Sequence, residues 1–98
     1  MPLDTLSVQN ALRPELVEQL SPAEIIDLQV TEATDHDGDA VLELLVTFRS
    51  QDDRLDPARV LGLIRHLRAA LALQGESRFP HVRFQTELEA QEEAGEAR

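Results

Sequence analysis

Cysteine, lysine, tyrosine and tryptophan are all missing from the 98 residues. Without cysteine there are no disulfides, thiolate metal ligands or thiol nucleophiles, which fits a reducing compartment. The other three absences narrow the catalytic repertoire further. Aromatic content is 3 %, confined to Phe48, Phe79 and Phe84, so leucine, valine and isoleucine must fill the interior. No apolar run approaches the roughly 18 residues of a membrane span. The N-terminus, with Asp4 and no basic start, is not a secretory signal. A cytoplasmic protein without membrane attachment is the expectation. All nine basic residues are arginine, which with abundant alanine and leucine points to a GC-rich coding sequence and a bacterial origin.

The chain has the length of one domain and is 42 % hydrophobic, enough for a core. Its firmest local signal is Asp35-His36-Asp37-Gly38-Asp39, set between two alternating segments. Ile26, Leu28 and Val30 are apolar at even positions, as are Leu42, Leu44, Val46 and Phe48. Successive strand side chains point to opposite faces and opposed residues share one, so the pairs should be Val30 with Leu44, Leu28 with Val46 and Ile26 with Phe48. A two-residue turn at Asp37-Gly38 would put one apolar set into water. The spacing therefore predicts a three-residue turn, His36-Asp37-Gly38, with Gly38 left-handed. The same residues are rich in calcium-type oxygens. In a helix–loop–helix calcium site, however, Gly38 at the sixth position would place Ala33 first and Leu44 twelfth, where carboxylates are needed. The Asp residues read as a solvated turn, and neither a metal nor a cofactor is expected.

Near the N-terminus Leu3, Leu6, Leu12, Leu16, Val17 and Leu20 suggest a helix, with Pro14 suited to its first turn. Ser21-Pro22-Ala23-Glu24 has the layout of a capping box, predicting one helical turn before the first strand. Asp56-Pro57 opens the clearest helix and Gly75 closes it. Val60, Leu63, Ile64, Leu67 and Leu71 form its apolar stripe, opposed by Gly62, Arg65, Ala69 and Ala72, with His66 and Leu73 beside them. A third strand is expected at residues 79–86, with Val82, Phe84 and Thr86 inward and His81, Arg83 and Gln85 outward. Pro80 belongs at its start or on an edge.

The expectation is an α+β fold, helix-strand-strand-helix-strand. It has a three-stranded sheet in spatial order 3-1-2, with 1-2-3 through a parallel crossover as the alternative, and one long helix packed on a face. Residues 1–86 make the domain and 87–98 an acidic, flexible tail. Asp27, Gln29, Thr31, Val41, Glu43, Leu45, His81 and Arg83 share the other face, left open for docking or covered by the first helix. Candidate interaction residues are Gly62, Arg65, Ala69 and Ala72 on the helix, and Glu43, Leu45, His81 and Arg83 on the sheet. Asp37 and Gly38 are structural turn residues.

Charge is segregated. Residues 1–48 carry a net −9, residues 49–83 a net +3 and residues 84–98 a net −4, for the total of −10. Such a balance repels phosphate backbones unless Arg59, Arg65, Arg68, Arg78 and Arg83 form a separate patch. The alternative role for these arginines is to neutralise the acidic half within the fold. A KH-type RNA-binding domain also mixes a small sheet with helices. Its Gly-x-x-Gly clamp is missing, since the nearest candidate is Gly75-Glu76-Ser77-Arg78, and no aromatic stacking strip is evident. For an enzyme, His36, His66 and His81 show no legible partner and read as surface residues. What remains is a small, acidic, non-enzymatic binding or regulatory protein whose partner is another protein with a basic, nuclease-like surface, as antitoxins and immunity proteins have. Homo-oligomerisation through a sheet edge or the Gly62–Ala69 face is the competing use of the same surfaces.

Overall fold

Asp4 starts the first element. In the structure, a computed structural model that describes residues 2–96, its carboxylate accepts the Ser7 N–H at 2.7 Å and caps helix α1, Thr5–Leu20. Val8, Leu12, Leu16 and Leu20 recur every four residues and are buried. Pro14 therefore lies inside the helix, which corrects the expectation that it occupies the first turn. Proline there costs about 3 kcal/mol, but each buried aliphatic side chain returns about 1.5–3 kcal/mol. Leu6 and Val17 point outward. Ser21 caps the C-terminus of α1, and the Ala23 N–H donates to the Leu20 carbonyl at 3.0 Å. The predicted capping box thus closes one helix and does not open another turn.

Strands β1 (Glu24–Thr34) and β2 (Ala40–Arg49) form the hairpin. Val30 faces Leu44 and Leu28 faces Val46, as parity requires. Asp35 and Asp39 close the turn, with the Asp35 N–H on the Asp39 carbonyl at 2.9 Å and Gly38 at φ +87°. One pair differs from expectation: Phe48 meets Ile25, because Ile26 is the extra residue of a bulge. The bulge re-phases the strand end so that Ile25 packs on the core.

Helix α2, Pro57–Leu73, is capped by Asp56, which accepts the Ala58 N–H at 3.0 Å. Leu63, Leu67 and Leu71 are buried, and beyond its end Gly75 takes φ +77° while the Glu76 N–H returns to the Leu71 carbonyl. Strand β3, Phe79–Thr86, then pairs parallel with β2, Leu44 beside Val82 and Val46 beside Phe84. The order is therefore β1-β2-β3, correcting the expected 3-1-2. The physical reason lies in β2. Val41, Leu42, Leu44, Val46, Thr47 and Phe48 are all buried, as befits a central strand apolar on both faces, whereas β1 is polar on one face and belongs at an edge.

Both long helices share one core with Leu28, Leu42, Leu44 and Val46. The first helix thus joins α2 on one face of the sheet and does not cover the other. Helix α3, Glu87–Glu96, follows β3 directly. Its start is a reciprocal capping box in which the Glu89 N–H donates to Thr86 Oγ1 at 3.1 Å and the Thr86 N–H to Glu89 Oε1 at 2.7 Å. Arg49 ties it to the sheet by pairing with Glu87 at 2.7 Å and Glu24 at 3.3 Å, and this pairing holds the Glu87 carboxyl below its ordinary range. Among the described residues no helix is long and apolar enough to cross a membrane.

Candidate interaction surface

Strand register lays out the face away from α1 and α2 in four rows. From the hairpin end they read Ala33–Val41–Phe79, Thr31–Glu43–His81, Gln29–Leu45–Arg83 and Asp27–Thr47–Gln85. In the last row Gln85 Nε2 donates to Thr47 Oγ1 at 2.9 Å, satisfying a buried hydroxyl. Glu43, His81 and Arg83 are exposed and Leu45 is half-buried. These four sequence-derived candidates are neighbours on one surface. The other four, Gly62, Arg65, Ala69 and Ala72, lie on the outer side of α2, across the molecule. The structure does not bring the two groups together.

Basic residues are divided in the same way. Arg65 and Arg68 stand on α2, Arg83 on the sheet face, and Arg59 reaches the Gln19 carbonyl at 3.4 Å. Arg78 is not available to a surface patch. Its guanidinium, with a side chain 10 % exposed, bonds Glu76 at 3.0 Å, Glu32 at 2.8 Å and the Leu3 carbonyl at 2.7 Å. Glu76, 5 % exposed, also accepts the Leu3 N–H at 2.8 Å and the Arg78 N–H at 3.0 Å. Hydrogen bonds from Arg78 hold its carboxyl at about 2, against the opposing effect of burial, and the Arg78 guanidinium is pushed up in turn. Gly75-Glu76-Ser77-Arg78 is thus a clamp on the N-terminal segment. The sequence reading missed it, and its one signal was a Glu and an Arg two residues apart between a helix stop and a strand.

A second feature beyond the sequence reading is aromatic. The Phe79 and His81 rings lie 5.0 Å apart at 57°, and the Arg68 guanidinium carbon is 5.4 Å from the Phe79 centroid. No family model, curated protein or solved structure matches this chain.

Among the described residues, the hairpin end carries one group of acids that no arginine neutralises. Asp35 spends its carboxylate on the turn, accepting the Asp37 and Asp39 N–H groups at 2.9 Å. Asp37, Asp39 and Glu43 are exposed, and among the described residues no arginine pairs with them. Glu24, Glu32, Glu76 and Glu87, by contrast, are all paired with Arg49 or Arg78. Neutralisation within the fold accounts for those four and stops short of the turn. Among the described residues no three His, Asp or Glu side chains are grouped to hold a metal ion. His36 stands at the tip, His66 on α2 and His81 on the sheet face. Two open grooves flank the ends of α2. One, about 360 Å³, runs over Gly75–Arg78; the other, about 840 Å³, lies between Ser21–Ala23 and the loop before Asp56.

Proposed function

We propose that this chain is a small non-enzymatic interaction module whose negatively charged hairpin end docks on a basic surface of another protein, restraining it as antitoxins and immunity proteins restrain nucleases. The observation that carries this reading is the grouping of exposed acids without arginine partners at the hairpin end. Arginines neutralise Glu24, Glu32, Glu76 and Glu87, while Asp37, Asp39 and Glu43 cluster at one end with no arginine partner among the described residues. A field of one sign concentrated at an exposed end accelerates encounter with an oppositely charged surface and disfavours wrong partners.

The test is affinity capture from the source lysate with the parent chain and with an Asp37→Asn/Asp39→Asn/Glu43→Gln variant. The parent should retain a basic protein at about 0.01 M salt and release it near 1 M, where the screening length falls from about 30 Å to about 3 Å. The variant should not retain it. Equal retention by both chains, or none by the parent, would reject the reading.

A further inference from the structure

The two edges of the sheet are protected unequally. On β1 the Leu28 carbonyl accepts Gln9 Nε2 from α1 at 3.1 Å, Ile26 bulges out of register, and Asp27 and Glu32 add charge. Such devices prevent a foreign strand from pairing. On β3 the outer edge has no strand beside it. Among the described residues the one side chain bonded to its backbone is Glu89, at the Thr86 N–H. Pro80 withdraws one donor, and the rest of the edge remains. Val82 and Phe84, on the core side of this strand, are only partly buried.

Charge beside this edge is opposite to that of the chain as a whole. At 100° per residue Leu61, Arg65, Arg68 and Ala72 fall within about 60° of arc on α2, and Arg68 reaches from this stripe to Phe79. Phe79 is 40 % exposed and Leu61 85 % exposed. His81 and Arg83 lie along β3 on the other sheet face, so the two basic groups flank the edge from either side. Arg65, Arg68 and Arg83 form no ion pair among the described residues, although the chain carries a net −10. Two acids border these groups, Glu43 in register with His81 and Glu89 at the far end of the edge on the Thr86 N–H.

We infer that the β3 edge accepts an extended acidic segment of another protein as a fourth strand. Backbone groups of β3 supply the ladder, Arg68 and Arg83 meet carboxylates, and Val82 and Phe84 receive alternate apolar side chains. A second copy of this chain fits poorly. Two antiparallel β3 edges would set His81 and Arg83 against the same residues of the other copy, between two strongly negative molecules. A nucleic acid brings a denser negative charge toward Glu43 and the hairpin carboxylates. The site adjoins the acidic hairpin end at Glu43 but is opposite in sign and takes a partner of opposite charge, so it stands or falls independently of that reading.

The probe is an end-capped alternating glutamate–valine peptide long enough to span β3, titrated into the full chain labelled for amide NMR. Shifts and slowed hydrogen exchange should concentrate in Phe79–Thr86 and Arg65–Ala72. Affinity should fall at least about tenfold in an Arg68→Glu/Arg83→Glu variant and in Arg83→Gln, both checked for retained fold by circular dichroism. The Asp37→Asn/Asp39→Asn/Glu43→Gln variant should bind the peptide at least as well as the parent. Four results would overturn the proposal: no shift at roughly millimolar peptide, equal binding of the lysine–valine counterpart, binding of a short oligouridine in place of the peptide, or a peptide-independent dimer seen by sedimentation with the same amides perturbed.

Discussion

Glu76 and Arg78 face each other at 3.0 Å at the hairpin end of the core, and both also hold the backbone of Leu3. Removing one partner strands the other in a nearly dry site. Glu76→Gln keeps the shape and loses the charge, and it should cost about 2–3 kcal/mol in urea unfolding. A loss below about 0.5 kcal/mol would show the clamp to be incidental.

The same carboxylate makes stability depend on acid. Its pKa is about 2 in the fold against an ordinary 4.5, so folding favours the charged form. That stabilisation is complete above about pH 5 and is withdrawn as pH falls toward 2, amounting to about 3 kcal/mol. Unfolding midpoints measured from pH 6 to about pH 2 should converge for the parent and Glu76→Gln. Parallel curves would contradict the linkage.

Gly38, at φ +87° with nothing within 4 Å of where a Cβ would stand, is constrained by conformation and not by space. Gly38→Val should therefore lose about 1–2 kcal/mol, and Gly38→Asn less than half as much. Equal losses in chemical denaturation would mean that the turn has rearranged.

Burial separates two leucines of α2. Leu67 is wholly buried, so Leu67→Ala should cost about 2–5 kcal/mol. Leu61→Ala, at a position 85 % exposed, should stay within about 0.5 kcal/mol of the parent. Thermal and urea unfolding of the two variants would check this contrast.

Gln9→Ala removes the donor that covers the Leu28 carbonyl on the β1 edge. A stability loss of about 0.5–1.5 kcal/mol is expected. Sedimentation velocity over a concentration series should also show stronger self-association than in the parent. An unchanged series would mean that the bulge and the acids guard the edge unaided.

Alternation alone carried the hairpin: the Val30–Leu44 and Leu28–Val46 pairs and the left-handed Gly38 follow from parity. Strand order does not, because even-numbered residues face the core whichever strand lies alongside. The deciding signal was present in Val41 and Leu45, apolar on the second face of β2, which marks the middle strand. Pro14 misled the reading of α1, since the Asp4 cap and the four-residue recurrence from Val8 to Leu20 outweigh a local preference. The candidate surfaces were half legible. Glu43, Leu45, His81 and Arg83 share a face by period, but the clamp by Arg78 and the approach of Arg68 to Phe79 join residues far apart in the chain, and no local pattern encodes them.

Leu3 meets Glu76 and Arg78, which lie 73 and 75 positions further along the chain, so this junction closes the longest loops among the side-chain contacts described above. Loop closure on that scale is entropically slow, and the tie should be among the last contacts made in folding. Heated or pulled from its first residues, the molecule should open there before its sheet comes apart, with the Leu3 amide exchanging ahead of the Leu44 and Val46 amides.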